Sequence, residues 1–419
     1  PQSTGVETDL MIQGEGLFIV SDGERQFYTR AGNFYPDAAG NLVTPGGYVL
    51  MGYAADATGK IGDVLEPLRV DKTAVLDPRA TERVTLTGNL DASSKTSEGS
   101  SEITLVGVLV QNGEAYTIRT TVYDQHGLPH ALSLTFDNSA GRPDFQVTYE
   151  IDGRPVQGTT HTLTFDTTTG QVSGGGTLSI QVDLNGDGAN DDLVLNVQLN
   201  DLTLGSSGGS SVTVAKGDGG PALRTPGTVI YDSKGNAHEV YLAFAKDSAN
   251  PNQWYVAVYR VDPDDPAVAI PISGFGNSLT FTNSGRLSGT NEVTVQWDPG
   301  NGAERMNVTF NFDGVTQFAG ESTAKIAAQD GSPMGTLERF AFDSNGVITG
   351  YYSNGLRRAL GQVALAIFAN PGGLERRGES LFAASPNSGI PNPVKPNTGG
   401  AGSILPSTLE MSNVDLAQE

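Results

Sequence analysis

Six residues, Tyr123, Asp124, Gly127, His130, Leu134 and Phe136, recur in the same order as Tyr231, Asp232, Gly235, His238, Leu242 and Phe244, displaced by 108 positions. Leu163-Thr164-Phe165 then matches Leu279-Thr280-Phe281 at a displacement of 116. Gly170, Ser173, Gly174, Gln181 and Asp183 match Gly285, Ser288, Gly289, Gln296 and Asp298 at 115. Order is kept and the displacement drifts by only a few residues, so the chain carries two related modules, each of domain size. Stretches rich in serine and glycine, residues 92–101 and 205–220, bound the first module. The expected division is therefore residues 92–216 for the first repeat and 217–321 for the second. Residues 1–91 and 322–419 are expected to form one discontinuous base domain into which the pair is inserted.

Within the modules the local signal is a turn. Asp-x-x-Gly occurs at residues 37–40, 56–59, 124–127, 183–186, 232–235 and 343–346. Aspartate at the first position of a type I turn accepts hydrogen bonds from its own backbone, and glycine at the fourth takes a positive φ. This is the chemistry of a hairpin with a bulge. Runs rich in β-branched and aromatic residues flank these turns, at 239–245, 253–261, 292–297 and 307–312. Some alternate with period two, as do Val293, Val295 and Trp297. Long helical periodicity is absent. The 54 glycines, without a collagen period, fit a chain of many tight turns. The fold class expected is mainly β: a discontinuous β base domain with two tandem, related antiparallel β domains inserted.

Charge and chemistry narrow the function. Acidic residues outnumber basic ones 47 to 25, a net charge of -22, which repels phosphate backbones and anionic membranes. Neither nucleic-acid binding nor membrane insertion is expected, and no run of 18 apolar residues occurs. No secretory signal peptide is visible. The absence of cysteine removes disulfides, thiolate chemistry and Cys-ligated zinc, and suits a chain that must stay unfolded during export. His130 and His238 are repeat equivalents, which marks a structural position, while His126 stands four before His130 but on a turn and a strand in place of one helix face; with His161 the fourth histidine, no metal is expected. Residues 183–192 resemble the opening of a calcium loop, but its twelfth position is Val194 in place of the bidentate glutamate, and a polar hairpin tip is the better reading. P-loop, G-x-S-x-G and H-E-x-x-H motifs are missing. Trp254 and Trp297 are expected in the core. No catalytic residue and no cofactor are expected, and the chain reads as a non-enzyme.

The two ends carry the most specific motifs. Gly14, Gly16 and Phe18, then Tyr28-Thr29-Arg30, Gly32 and Phe34, follow the pattern G-x-G-F-F-x-V…Y-T-R-x-G-x-F. Residues 361–374, with Asn370 and Pro371, continue through Gly389 to Ser412-Asn413-Val414-Asp415-Leu416. In both order and wording this resembles the bacterial flagellar axial family of rod, hook and filament-related proteins, and within it the hook proteins. The second module looks like a hook outer domain and the first like an additional copy. Ser412, with Asp415 three residues on, reads as a helix start; no start signal precedes Thr8. Both observations lead to the expectation of a fragment lacking its terminal helices. The resemblance implies a structural subunit that leaves the cell unfolded by flagellar type III export. Outside the cell it would stack with copies of itself into a helical tube, the universal joint between rod and filament. Implied partners are rod and hook–filament junction proteins, the hook cap, and export chaperones or the export gate. The competing expectation is a secreted β-rich adhesin or carbohydrate-binding protein.

Overall fold

The computed structural model describes residues 2–139, 144–156, 160–378 and 380–410. Among them no α-helix occurs, and the one helical turn is a 3-10 turn at Pro371–Gly373. The chain divides into a base unit, residues 1–77 and 334–419, and an outer unit, residues 78–333.

The base unit is built on one large sheet. Its central strand Leu17–Ser21 lies between Gln26–Thr29 and Val49–Ala55, and Arg357–Val363, Val347–Tyr352 and Gly335–Phe342 follow in turn. Leu17–Ser21 is buried on both faces: Phe18 and Val20 enter one apolar cluster, Leu17 and Ile19 the other. Period-two geometry sends alternate side chains to opposite faces, so a strand with cores on both sides reads as a continuous apolar run. The first and last described segments run side by side. Leu10–Gln13 pairs antiparallel with Ser403–Pro406, and Gln2–Ser3 pairs with Thr408–Leu409.

Each module of the outer unit is a sandwich of a four-stranded sheet and a longer antiparallel one around its own core. In the first module the four-stranded order is Thr177–Val182, Leu193–Gly205, Glu102–Val110, Ser211–Gly217. In the second it is Glu292–Trp297, Met306–Phe318, Arg83–Asp91, Lys325–Gln329. Both central pairs, Glu102–Val110 with Leu193–Gly205 and Arg83–Asp91 with Met306–Phe318, are parallel, in sheets otherwise antiparallel.

This corrects the expected boundaries. Residues 83–91 and 325–329, expected in the base domain, are strands of the second module. Val84, Leu86 and Leu90 are fully buried in its core, and a strand hydrogen-bonded on both sides cannot leave its sheet. The first module is therefore inserted into the second, directly after the second's opening strand. The two opening strands match as Thr104-Leu105-x-Gly107-x-Leu109 and Thr85-Leu86-x-Gly88-x-Leu90. Both register shifts fall between the matched threonine and the residue before the matched glycine. A Cβ on Gly107 would lie 2.1 Å from Ser211 O, and one on Gly88 2.4 Å from Thr323 O. Only glycine lets the neighbouring strand pass so closely. The strand ends are capped alike: Asp218 Oδ1 accepts from the Ser101 and Glu102 amides, Asp330 Oδ1 from those of Glu82 and Arg83.

Candidate assembly surface and buried polar sites

The family-motif residues of the base unit converge on Arg30. The chain turns sharply twice after Leu10–Gln13, with Gly14 at φ 116° and Gly16 at φ 117°, conformations that L side chains rarely adopt. These turns aim carbonyls at one guanidinium: Arg30 donates to Gly14 O at 2.8 Å, Gly16 O at 3.0 Å and Ile12 O at 3.1 Å, and its Nε donates to Glu410 at 3.2 Å. The planar five-donor fork of arginine suits such a cage, and lysine could not replace it. Gly32 is fixed by packing, since a Cβ there would sit 1.7 Å from Leu10 O. Thr29, 1% exposed, accepts from the Ala31 amide. Phe18 meets Phe34 edge-on at 5.2 Å, and Tyr28 meets Phe368 at 4.8 Å; burial pushes the Tyr28 hydroxyl pKa up.

The second group of motif residues ties two loops together. Asn370 donates its amide N–H to Ser388 O and its side-chain amide to Asn387 O, while Pro371 opens the 3-10 turn. Gly389, at φ 81°, follows the fully buried Ser388. Two grooves flank Arg30. One of about 480 Å³ is lined by Leu17, Ile367, Phe368, Leu374 and Phe382. The other, about 630 Å³, is lined by Arg376, Leu381, Phe382, Leu409 and Glu410. Ser412, Asn413, Val414, Asp415 and Leu416 lie outside the described residues, as does the expected helix start at Ser412.

In the outer unit His130 and His238 lie near the start of the strands that follow the repeat turns, and His126 lies in the first of those turns. Asp124, fully buried, accepts from the His126 and Leu128 amides and faces His130 Nε2 at 3.3 Å; Asp152 holds the other ring nitrogen at 2.7 Å. Burial pulls the His130 pKa down, but the hydrogen bonds and charges of Asp124 and Asp152 outweigh it and hold it at about 9. In the second module Asp232 accepts from the Lys234 and Asn236 amides, from His238 at 2.9 Å and from Asn301 at 2.7 Å. Burial opposes its ionisation, yet the hydrogen bonds from Asn301, His238 and Asn236 keep this carboxyl well below the usual range. Spacing marked His130 and His238 as equivalent positions but gave no sign of Asp152 or Asn301, which come from a turn after Asp144–Ile151 and a loop after Glu292–Trp297. His161 Nε2 donates to Gly175 O at 2.7 Å.

In the 183–192 loop the carboxylates are engaged by the loop's own backbone. Asp183 accepts from Gly186 and Gly188, Asp187 from Ala189, and the buried Asp192 from Leu184 and Asn185. Among the described residues no group of three or more His, Asp or Glu side chains is placed to hold a metal ion. Trp254 is fully buried, with its indole donating to Gln317; Trp297 is half-buried, between His238 and Arg260.

Comparison with known proteins assigns these parts. Residues 11–88 match the flagellar hook protein FlgE/F/G D1 domain, and residues 68–219 and 225–332 each match the flagellar basal body protein FlaE D2 domain. The flagellar hook protein FlgE of Treponema pallidum is 32% identical over 427 residues, covering 100% of this chain and 74% of that protein. The FlgE of Caulobacter vibrioides is 26% identical, covering 100% and 82%; that of Salmonella typhimurium is 34% identical but covers 46% and 47%. The crystal structure of Helicobacter pylori flagellar hook protein FlgE2 shares the fold at a TM-score of 0.53, covering 98% of this chain and 100% of that one at 16% identity. The adhesin and carbohydrate-binding alternative is left without support. A domain model matched twice over the repeats, and a relative aligned along the whole chain, make this protein a member of the flagellar hook protein family.

Proposed function

We propose that the chain is a structural subunit of the bacterial flagellar hook, the flexible joint between rod and filament, and that it works by polymerising with copies of itself. The observation that carries this reading is the alignment of the entire chain with the Treponema pallidum hook protein. The base unit supplies a physical setting: both described end segments pair with each other, beside the Arg30 cage and the two grooves that flank it. A tube that bends needs rigid modules joined by contacts modest enough to exchange, and capped, bulged β modules of high acidic charge meet that need. Rod and junction proteins at the ends, a cap during growth, and export through the flagellar type III route belong to the same reading. A cysteine-free chain supports it by having no bond to form before export. Residues 1–77 with 334–419 serve as the base, and the two repeats as outer domains.

The test is expression of the full-length gene in a hook-deleted bacterium, with electron microscopy of the isolated basal structures. Curved tubes carrying this protein are expected. Rods that end without a hook, while the protein is secreted and folded, would overturn the proposal. Arg30→Ala is expected to shorten or abolish the tubes.

A further inference from the structure

One face of the second module should meet water and does not. On its longer sheet, Tyr241, Ala243 and Ala245 stand opposite Tyr259, Ala257 and Tyr255, on the side away from the main core. The outward face of an antiparallel sheet is normally polar. Here Ala243 and Ala245 have no exposed surface, Ala257, Tyr259 and Ala269 are buried, and together they form an apolar cluster separate from the core. What covers them is Leu128 of the first module, only 3% exposed. The residues around it bind the same neighbour. His126 stacks on Tyr255 with ring centroids 3.6 Å apart. Thr121 Oγ1 donates to Ala267 O and accepts from the Ala269 amide, each at 2.8 Å. The Arg119 guanidinium donates to the buried Asp262 carboxylate.

The connections between the modules are pinned as well. Ser97 Oγ accepts from the Lys246 and Ala222 amides, and Lys246, itself buried, donates its ammonium to Ala92 O and Ser94 O. Gly99 and Gly127 let the two connecting segments pass the Asp124 turn, since a Cβ on Gly99 would meet Asp124 O at 2.4 Å and one on Gly127 would meet Gly220 O at 2.7 Å.

We propose that the alanine-faced side of the second module is a docking surface for the first module of the same chain, with residues 124–128 as the latch, so that the two repeats move as one arm. The inference goes beyond the hook assignment and does not depend on it. The chain has no cysteine, so Ser179→Cys and Thr294→Cys, exposed positions at a displacement of 115 on matching strands, can be spin-labelled in the full chain without background. Electron–electron resonance should give one sharp distance. Leu128→Asp, and independently Ala257→Glu on the opposite side of the contact, should replace it with a broad spread while circular dichroism and hydrogen exchange report both modules folded. A broad spread in the parent chain would overturn the proposal, as would a sharp distance that survives both substitutions. So would a distance that vanishes when labelled chain is diluted with unlabelled, because the socket would then be filled by another copy.

Discussion

The two repeats share their inward-facing residues and differ in their outward ones. Leu134 and Phe136 in the first module, and Leu242 and Phe244 in the second, are all fully buried in corresponding strands. The residues between them point the other way, and there Thr135, Asp137, Thr148 and Glu150 correspond to Ala243, Ala245, Ala257 and Tyr259. Thr148 and Glu150 are exposed, whereas Ala257 and Tyr259 are buried. Duplication has kept what each core requires and changed what lies outside it. The polar set lies on the part of the first module's face that stays open, beyond Arg119 and Thr121, and the small apolar set on a face covered by its neighbour. A face is thus defined by what packs on it as much as by its strand.

The comparison can be broken most severely from the core. Trp254→Ala should destabilise the second module by about 3–5 kcal/mol through cavity formation, and it also strands the Gln317 carbonyl that its indole reaches. Phe145, the first-module residue paired with Leu163 as Trp254 is with Leu279, should cost a similar amount on truncation but only in its own module. Both tryptophans lie in the second module, so denaturant unfolding followed by tryptophan emission reads that module alone, and hydrogen exchange reads the other.

pH should separate the repeats next. The folded-state pKa of His130 is raised from 6.5 to about 9, so the stability it adds is complete below about pH 6.5 and is lost as pH climbs through 9. The first module is expected to lose at most roughly 3 kcal/mol across that window. His130→Gln should flatten the profile measured by hydrogen exchange.

Smaller effects sharpen the contrast between outer faces. Ala257→Thr, which installs the first module's residue in the covered socket, should cost about 1–3 kcal/mol by overpacking, seen as a lower denaturation midpoint in tryptophan emission. The reciprocal Thr148→Ala, on the open face, should stay within about 0.5 kcal/mol. Equal costs for the pair would erase the distinction between covered and open faces.

Much of this was legible in the chain. The Asp-x-x-Gly spacing marked turns that close as expected at Gly40, Gly59, Gly127, Gly235 and Gly346, each donating to the carbonyl of its aspartate, because the turn's chemistry is contained in four consecutive residues; at 183–186 the glycine amide goes to the Asp183 carboxylate instead. The Tyr28-Thr29-Arg30 motif was visible, but its role was not: Arg30 meets carbonyls 14 to 18 residues away and a carboxylate 380 residues away. The second module's opening strand is hidden from the repeat because the inserted first module leaves it 19 positions before its counterpart, where the other matches lie 108 positions after theirs. Ala243, Ala245 and Ala257 carried no signal, since alanine is as much at home on an open sheet as under a neighbour.

The sequence by itself determined the β class, the duplication, the turns and the family, all of which rest on local chemistry or on residue order. Tertiary structure alone decided the nesting of one repeat inside the other, the carbonyl cage around Arg30 and the burial of the alanine face. Each of these depends on which distant segments are brought into contact, and spacing along the chain does not record that.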